Sequence, residues 1–313
     1  MNIGDKGADV REIQIALEDQ GYQLPMYGAD GDFGNETKTA LEDFARDESL
    51  PMGDPVPPQT LSAILAGRGA GWDIPRDDPC RDLVSYPPIT ETLLDKVEVI
   101  DLKHRPFSER IARKYKRRYG EPIVRDVSDV TGITIHQTAV KYSIRDYQIQ
   151  AAGGDEKMAF AYRALKVACH VMAFHDGFVV WTNPLDWYVH HGNGFNSYEL
   201  GLEIDGNYPG LVGGQTWNKR TPTKTTDASI RAACAALELM VREGRKMGMP
   251  IEYIHAHRQS SATRRSDPGE ELWNEVVLEF AVPVLGLKTD PSKVLRDGRP
   301  IPKSWDADGV GKY

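Results

Sequence analysis

The sequence predicts an α/β (α+β) chain: a mixed central β-sheet flanked by helices, preceded by a small three-helix domain. Three observations predict it. Apolar residues recur at helical spacing through the first 65 residues, and from about residue 126 short apolar strands alternate with amphipathic helices. A glycine- and proline-rich stretch separates the two patterns. The charge is also lopsided. Residues 1–65 hold 13 acids and 4 bases, whereas the remainder holds 33 acids and 34 bases, as expected of two units with different surfaces.

In the first unit, Val10, Ile13 and Leu17 form one apolar helical stripe, which ends at the capping signal Gly21-Tyr22. The turn-rich run "GADGDFGNET" follows. Thr37, Ala40, Leu41 and Phe44 then restart the helical period, and a third short helix is expected from Gln59 to Leu65 after Pro57-Pro58. The domain boundary is placed at residue 66. Residues 67–107, containing "SYPP", read as a linker with room for a short helix near Thr90–Val97. The segment "SERIARKYKRRYGE", residues 108–121, reads as a basic helix that opens a second domain, residues 108–290. The bland reading is a solvated helix packed on Ile111 and Tyr115; the functional one is weak contact with an anionic envelope surface.

Beyond it, "GITIHQTAV" reads as a buried strand with a polar tip, and "ALKVACHVMAFHDGFVVWTN" as two strands joined at His-Asp-Gly. "ELGLEIDGNY" and "IEYIHAH" read as further strands. The longest helix is "TDASIRAACAALELMVREGRKMG", capped by Thr226 or Asp227, with Ile230, Cys234, Leu237 and Val241 on one face. "ELWNEVVLEFA" closes the domain, and residues 291–313 read as a tail.

Several classes are excluded. No run of about 18 apolar residues suggests a membrane-spanning helix. The start, MNIGDKGADV, lacks a basic patch followed by an apolar core, so no secretory signal is expected. Cys80, Cys169 and Cys234 are odd in number and form no CxxC pair, which argues against a disulfide framework and a thiolate zinc finger. The acidic first unit is no nucleic-acid reader.

The stretch "HAHRQSSATRRSDPGEELW" sets His257 and Asp267 ten positions apart before a Pro-Gly turn. In the absence of thiolates, a catalytic zinc takes imidazole and carboxylate ligands and keeps one position open. His136, at the tip of "TIHQT", is placed to be the third ligand. Glu203 lies opposite Leu202 and Ile204 in its strand, where a buried acid needs a partner or a task, so it is the candidate general base. His255 shares a strand face with His257 and competes with it as ligand. His170 reads as a satisfied core histidine, His175 as a turn residue and His104 as a surface one.

Two resemblances add to these readings. Residues 4–65 resemble the helical peptidoglycan-binding module of cell-wall hydrolases. The matching features are Gly-x-x-Gly, Val-x-x-Ile-Gln-x-x-Leu, Gly-Tyr and Asp-Gly-x-Phe-Gly-x-x-Thr, in that order. The resemblance implies wall binding at the level of the domain only; Phe33 and Phe44 read as core. Residues 126–282 resemble the zinc-dependent N-acetylmuramoyl-L-alanine amidases of type 2, the superfamily that includes peptidoglycan recognition proteins. The resemblance rests on His136, "ACHVMAFHDG", "VHHGNGFN", "LGLEIDGN" and "HRQSSATRRSDPG". It implies Zn2+ held by His136, His257 and Asp267, with Glu203 as catalytic acid–base. Arg265 stands where Lys is common and is expected to steady the oxyanion; Ala256 stands where many members have Gly. His190 and Asn196 are expected at the substrate cleft.

The implied function is that of a modular peptidoglycan hydrolase, a zinc amidase cutting between N-acetylmuramic acid and L-alanine of the stem peptide. A monomer bound to glycan strands and stem peptide, with no nucleic-acid partner, is expected. Without a signal peptide, a phage endolysin made in the host cytoplasm and released to the wall is the expected context. The competing readings are a non-catalytic recognition protein and a zinc endopeptidase acting on the stem peptide.

Overall fold

The stripe Val10, Ile13 and Leu17 becomes the buried face of α1 (Ala8–Asp19) in the computed structural model, which describes residues 1–19, 22, 24, 30–47, 50–66, 93–290, 293–295 and 298–311. α2 (Asn35–Asp47) contributes Leu41 and Phe44, and α3 (Pro58–Ala66) contributes Ile64, to the same core. Phe33 and Phe44 are both core residues. The buried Gln14 on α1 staples the following turn. Its amide nitrogen donates to Asp30 Oδ1 at 2.9 Å and Thr37 Oγ1 at 3.0 Å, and its oxygen accepts from Gly31 N at 2.7 Å. Gly31 has φ +82, and a Cβ there would sit 3.2 Å from the Gly7 carbonyl oxygen. The pieces of the module's motif are thus tied to one another by side-chain chemistry.

The larger part of the expected linker, 67–92, lies outside the described residues, together with Cys80 and the Gly21 cap. Its end does not read as a linker. Leu94–Lys96 forms a single 3-10 turn and Val99–Asp101 forms strand β1, which pairs in parallel inside the main sheet. The basic helix expected over 108–121 is absent. The chain instead makes a turn at Ala112–Lys114 and a hairpin of β2 (Arg117–Arg118) and β3 (Glu121–Pro122). Tyr119 (φ 53) and Gly120 (φ 86) both adopt the left-handed conformation of a two-residue hairpin loop, which outweighs the modest helical propensity of Arg and Lys. Among the described residues the chain divides into two compact units, 1–66 with 111–124, and 93–110 with 125–311.

The second unit is built on six strands: β1, β4 (Gly132–Gln137), β5 (Val171–Ala173), β6 (Val179–Trp181), β7 (Glu199–Ile204) and β8 (Tyr253–Ala256). Their order is β1-β6-β5-β7-β4-β8, and every neighbouring pair is parallel except β5 with β6. Helices α4 (Asp146–Ala151) and α5 (Glu156–Ala164) have no counterpart in the sequence reading. They are short, separated by Gly153 and Gly154 at positive φ, and α5 buries mainly alanines, so their apolar period is faint.

The long helix α6 (Asp227–Lys246) starts where Thr226 and Ser229 cap each other's backbone amides. The closing helix begins as α7 (Glu270–Leu272) and continues π-helically over Trp273–Ala281. Ile133, Ile135, Leu200, Leu202, Ile204, Ile254 and Ala256 bury one sheet face in the same core as Leu237, Met240, Trp273 and Val277 from these helices. The expected tail joins that core too. Trp305 is fully buried, 6.5 Å from Trp273, and its indole donates to the Gly210 carbonyl at 3.2 Å. Cys169 and Cys234 are buried free thiols. Among the described residues no helix is long and apolar enough to cross a membrane.

Candidate metal centre

The opposite sheet face is polar where β4, β7 and β8 meet. Side chains alternate along a strand, so the residues that interrupt the apolar set share this face: Thr134 and His136, Glu199 and Glu203, Tyr253 and His255. In the parallel register His136 pairs with Glu203, which sets both on adjacent strands at one level of the same face.

β8 ends at Ala256, and His257 opens a short turn. His257 therefore escapes the strand's alternation and reaches the rim, while His255 stays beneath. His255 Nδ1 lies 2.6 Å from Glu199 Oε1, and Thr134 Oγ1 donates to the other carboxylate oxygen. The place where the strand stops sets the two histidines apart.

His136, His257 and Asp267 converge, with one ligand atom from each within 4.8 Å of the others. The Nδ1 atoms of His136 and His257 are 2.8 Å apart, and His257 Nδ1 is 3.0 Å from Asp267 Oδ2. Asp267 is aimed by its other oxygen, which accepts from Gln137 N at 2.9 Å. The Gln137 side chain in turn donates to the carbonyls of Tyr208 and Ser266 and accepts from Tyr208 N. The residue after the first histidine thus clamps the loop that carries the carboxylate. Burial first, then the nearby His257, His191 and Arg264, hold the His136 imidazole well below its usual pKa, so it is neutral. Two imidazole nitrogens facing each other beside a carboxylate suit a divalent cation, since their lone pairs otherwise repel.

Glu203 is half-buried beside this group. Burial, and after it the Glu203 carboxylate, raise the pKa of Tyr142, which locates that phenol near the acid. Arg265, expected to steady the oxyanion, is exposed. Arg264 does face the site. Its guanidinium lies 4.4 Å over the Trp217 ring, and its charge is one of those that depress the His136 pKa. Asp267 N donates to Arg264 O at 3.1 Å, closing a turn between the two residues. Trp217 N donates to Ser266 Oγ at 2.9 Å, so the aromatic platform is fastened to the same turn.

The two residues expected at the cleft are differently placed. Asn196 is buried, and its side-chain oxygen accepts from His191 N at 2.8 Å and Gly192 N at 2.6 Å, so it shapes a loop. His190 is half-buried with its ring 5.6 Å from Tyr188. The neighbour His191 is the one that reaches the centre, with Nδ1 3.0 Å from His136 Nε2. The one sequence signal for it is Gly201, the bare position on the polar face of β7 against which the His191 ring lies. His170 is a satisfied core residue: Nδ1 accepts from Gly201 N at 2.9 Å, and Nε2 lies 3.0 Å from the Trp187 carbonyl.

Residues 126–270 match the family described as "N-acetylmuramoyl-L-alanine amidase". Residues 6–54 match the family described as "Putative peptidoglycan binding domain". Over 78 residues the chain is 31% identical to "Probable N-acetylmuramoyl-L-alanine amidase" of Bacillus licheniformis, which covers 23% of this chain and 22% of that protein. Over 79 residues it is 34% identical to the "Type VI secretion system spike protein VgrG3" of Vibrio cholerae, covering 25% of this chain and 8% of that one. The match therefore spans about a fifth of the first curated relative and under a tenth of the second. Among solved structures, the endolysin amidase LysCS of Clostridium intestinale is 13% identical with a TM-score of 0.35, covering 61% of this chain and 97% of that one. The Ph2119 endolysin of a Thermus scotoductus bacteriophage is 16% identical with a TM-score of 0.35, covering 57% and 98%. The two family matches fall on separate segments of the chain, one in each of its two sequence patterns.

Proposed function

We propose that the second unit hydrolyses the amide bond between the lactyl group of N-acetylmuramic acid and L-alanine of the stem peptide, in peptidoglycan that the first unit helps to hold. The observation that carries this reading is the convergence of His136, His257 and Asp267 from separate elements, with Glu203 in register beside His136.

His136, His257 and Asp267 would hold the metal, and zinc is the ion that fits two imidazoles and a carboxylate best. Bound there, zinc supplies polarisation of the scissile carbonyl and a lowered pKa for water. Glu203 takes the proton of the attacking water at its carboxylate and delivers it to the leaving alanine nitrogen. Arg264, kept in place by Trp217, sets its positive charge toward the oxygen that becomes negative during attack. Tethering the hydrolase to a wall-binding unit raises its concentration at an insoluble polymer, which suits an enzyme that lyses a cell.

The test is a digest of purified sacculi with the full chain, followed by labelling of new amino termini. New N-terminal alanine is expected. New termini from diaminopimelate or lysine would make the protein an endopeptidase. No new termini, in a protein that purifies without stoichiometric zinc, would make it a recognition protein.

A further inference from the structure

The buried polar face holds a histidine that neither binds the proposed metal nor reaches the reacting bond. His191 sits under His136, with its ring edge-on at 89° and centroids 5.2 Å apart. Its place is built from several sides. Asn196 fixes its backbone amide. Arg125 donates to the Asn196 and Glu199 carbonyls at 2.9 and 2.8 Å, which holds the loop against β7. At Gly201 a Cβ would fall 2.6 Å from His191 Cγ, so the ring requires a glycine on the strand.

The hydrogen bonds around this ring run in one direction. His191 Nε2 lies 3.1 Å from the Glu199 carbonyl oxygen, which can only accept, so Nε2 carries a hydrogen. The ring is buried, and burial disfavours the charged form of an imidazole, so it is neutral. A neutral imidazole has one N–H, so His191 Nδ1 is bare. His136 Nε2, 3.0 Å away, must then be the donor to it. His136 is neutral as well, and its single hydrogen is spent there, which leaves its Nδ1 lone pair toward His257 and Asp267.

We propose that His191 is a positioning residue: by accepting the Nε2–H of His136 it selects the tautomer and the ring orientation that present Nδ1 to the metal. The backbone carbonyl of Glu199 is the origin of the relay, so the selection is written into the strand. This rests on the reading of His136 as a metal ligand and on no particular substrate.

The full chain labelled with 15N and freed of metal gives the first readout, the two-bond ring spectrum of its histidines. His136 and His191 are both expected with hydrogen on Nε2 and a bare Nδ1. The second readout is zinc affinity by competition with a chromophoric chelator. His191→Phe, which keeps a ring but offers no acceptor, is expected to bind zinc roughly 10–100-fold more weakly. His191→Gln can accept from His136 and donate to Glu199 through one amide, and is expected to recover most of the affinity. A merely space-filling role predicts the reverse order of Phe and Gln. The proposal is overturned if His136 in the metal-free chain carries its hydrogen on Nδ1, or if His191→Phe binds zinc as the wild type does. Should His191→Phe not fold, the ring spectrum of the wild type still decides. A wild type that binds no zinc overturns the metal centre and this role together; zinc binding without amide hydrolysis removes only the proposed substrate.

Discussion

Where β4, β7 and β8 meet, the two faces of the sheet are both largely buried and chemically opposite. On one face Ile133, Ile135, Leu200, Leu202 and Ile254 meet the long helices, and all are fully buried. On the other, Thr134, His136, Glu199 and His255 are at most 2% exposed. Removing polar groups from water costs free energy unless each finds a partner. The polar face meets that condition in part, through side-chain pairs across strands, as between Thr134, Glu199 and His255, and through loops that bring His191 and Asp267, while His255 Nε2 has no hydrogen-bond partner among the described residues. The same strands therefore supply cohesion on one side and a preorganised ligand set on the other. His136 and Glu203 on the site side and Ile135 and Leu202 on the core side are alternate residues of the same strands.

That separation can be broken in four ways. The largest effect is expected from Glu203→Gln, which keeps shape and hydrogen-bonding capacity but removes the base. Turnover of sacculi should fall roughly 10²–10⁴-fold with zinc content unchanged, and normal turnover would remove Glu203 from the chemistry. Arg264→Ala should lower kcat by about 10²–10³-fold while Arg265→Ala stays near wild type. Kinetics on both variants decide between them, and the opposite ranking would return the role to Arg265.

Leu202→Ala strikes the apolar face one residue from Glu203. It should cost about 2–5 kcal/mol in denaturant unfolding and leave kcat of the folded protein unchanged. A parallel fall in kcat would show that the faces are mechanically coupled. The smallest effect concerns Asp205 at the end of β7. Burial pushes its carboxyl from the usual 3.8 up to about 6, offset in part by the Tyr142 amide that donates to it at 2.8 Å. Its folded pKa lies above the unfolded one, so its contribution is fully present below 3.8 and is lost as pH rises through about 6. The loss is on the order of 1–3 kcal/mol. Asp205→Asn should flatten the stability–pH curve in that window, and an unchanged curve would assign the slope to other groups.

Whatever rests on spacing within one element could be read from the order of residues. The stripe of α1, the Thr226 cap of α6 and the alternation that singles out Glu203 between Leu202 and Ile204 are local properties, since each depends on neighbours a few positions away. His136 and His257 are visible for the same reason, as polar interruptions at the ends of apolar runs, and Asp267 as the acid that precedes a Pro-Gly turn. The short helices α4 and α5 escaped because alanine gives little contrast, and the basic segment was misread because two residues at positive φ, Tyr119 and Gly120, outvote a dozen weak propensities.

Other choices needed the chain brought together in space. His257 prevails over His255 because β8 stops at Ala256 under the pairing with β4. Arg264, packed over Trp217, adds its charge to those around His136, while Arg265 is exposed. His191 reaches His136 because Gly201, on a different strand, leaves room for its ring. In each case two adjacent or alternate residues of the same type stand in the sequence, and spacing cannot rank them. The ranking comes from backbone direction at a strand end or a turn, and that direction is set by hydrogen bonds to segments tens of residues away.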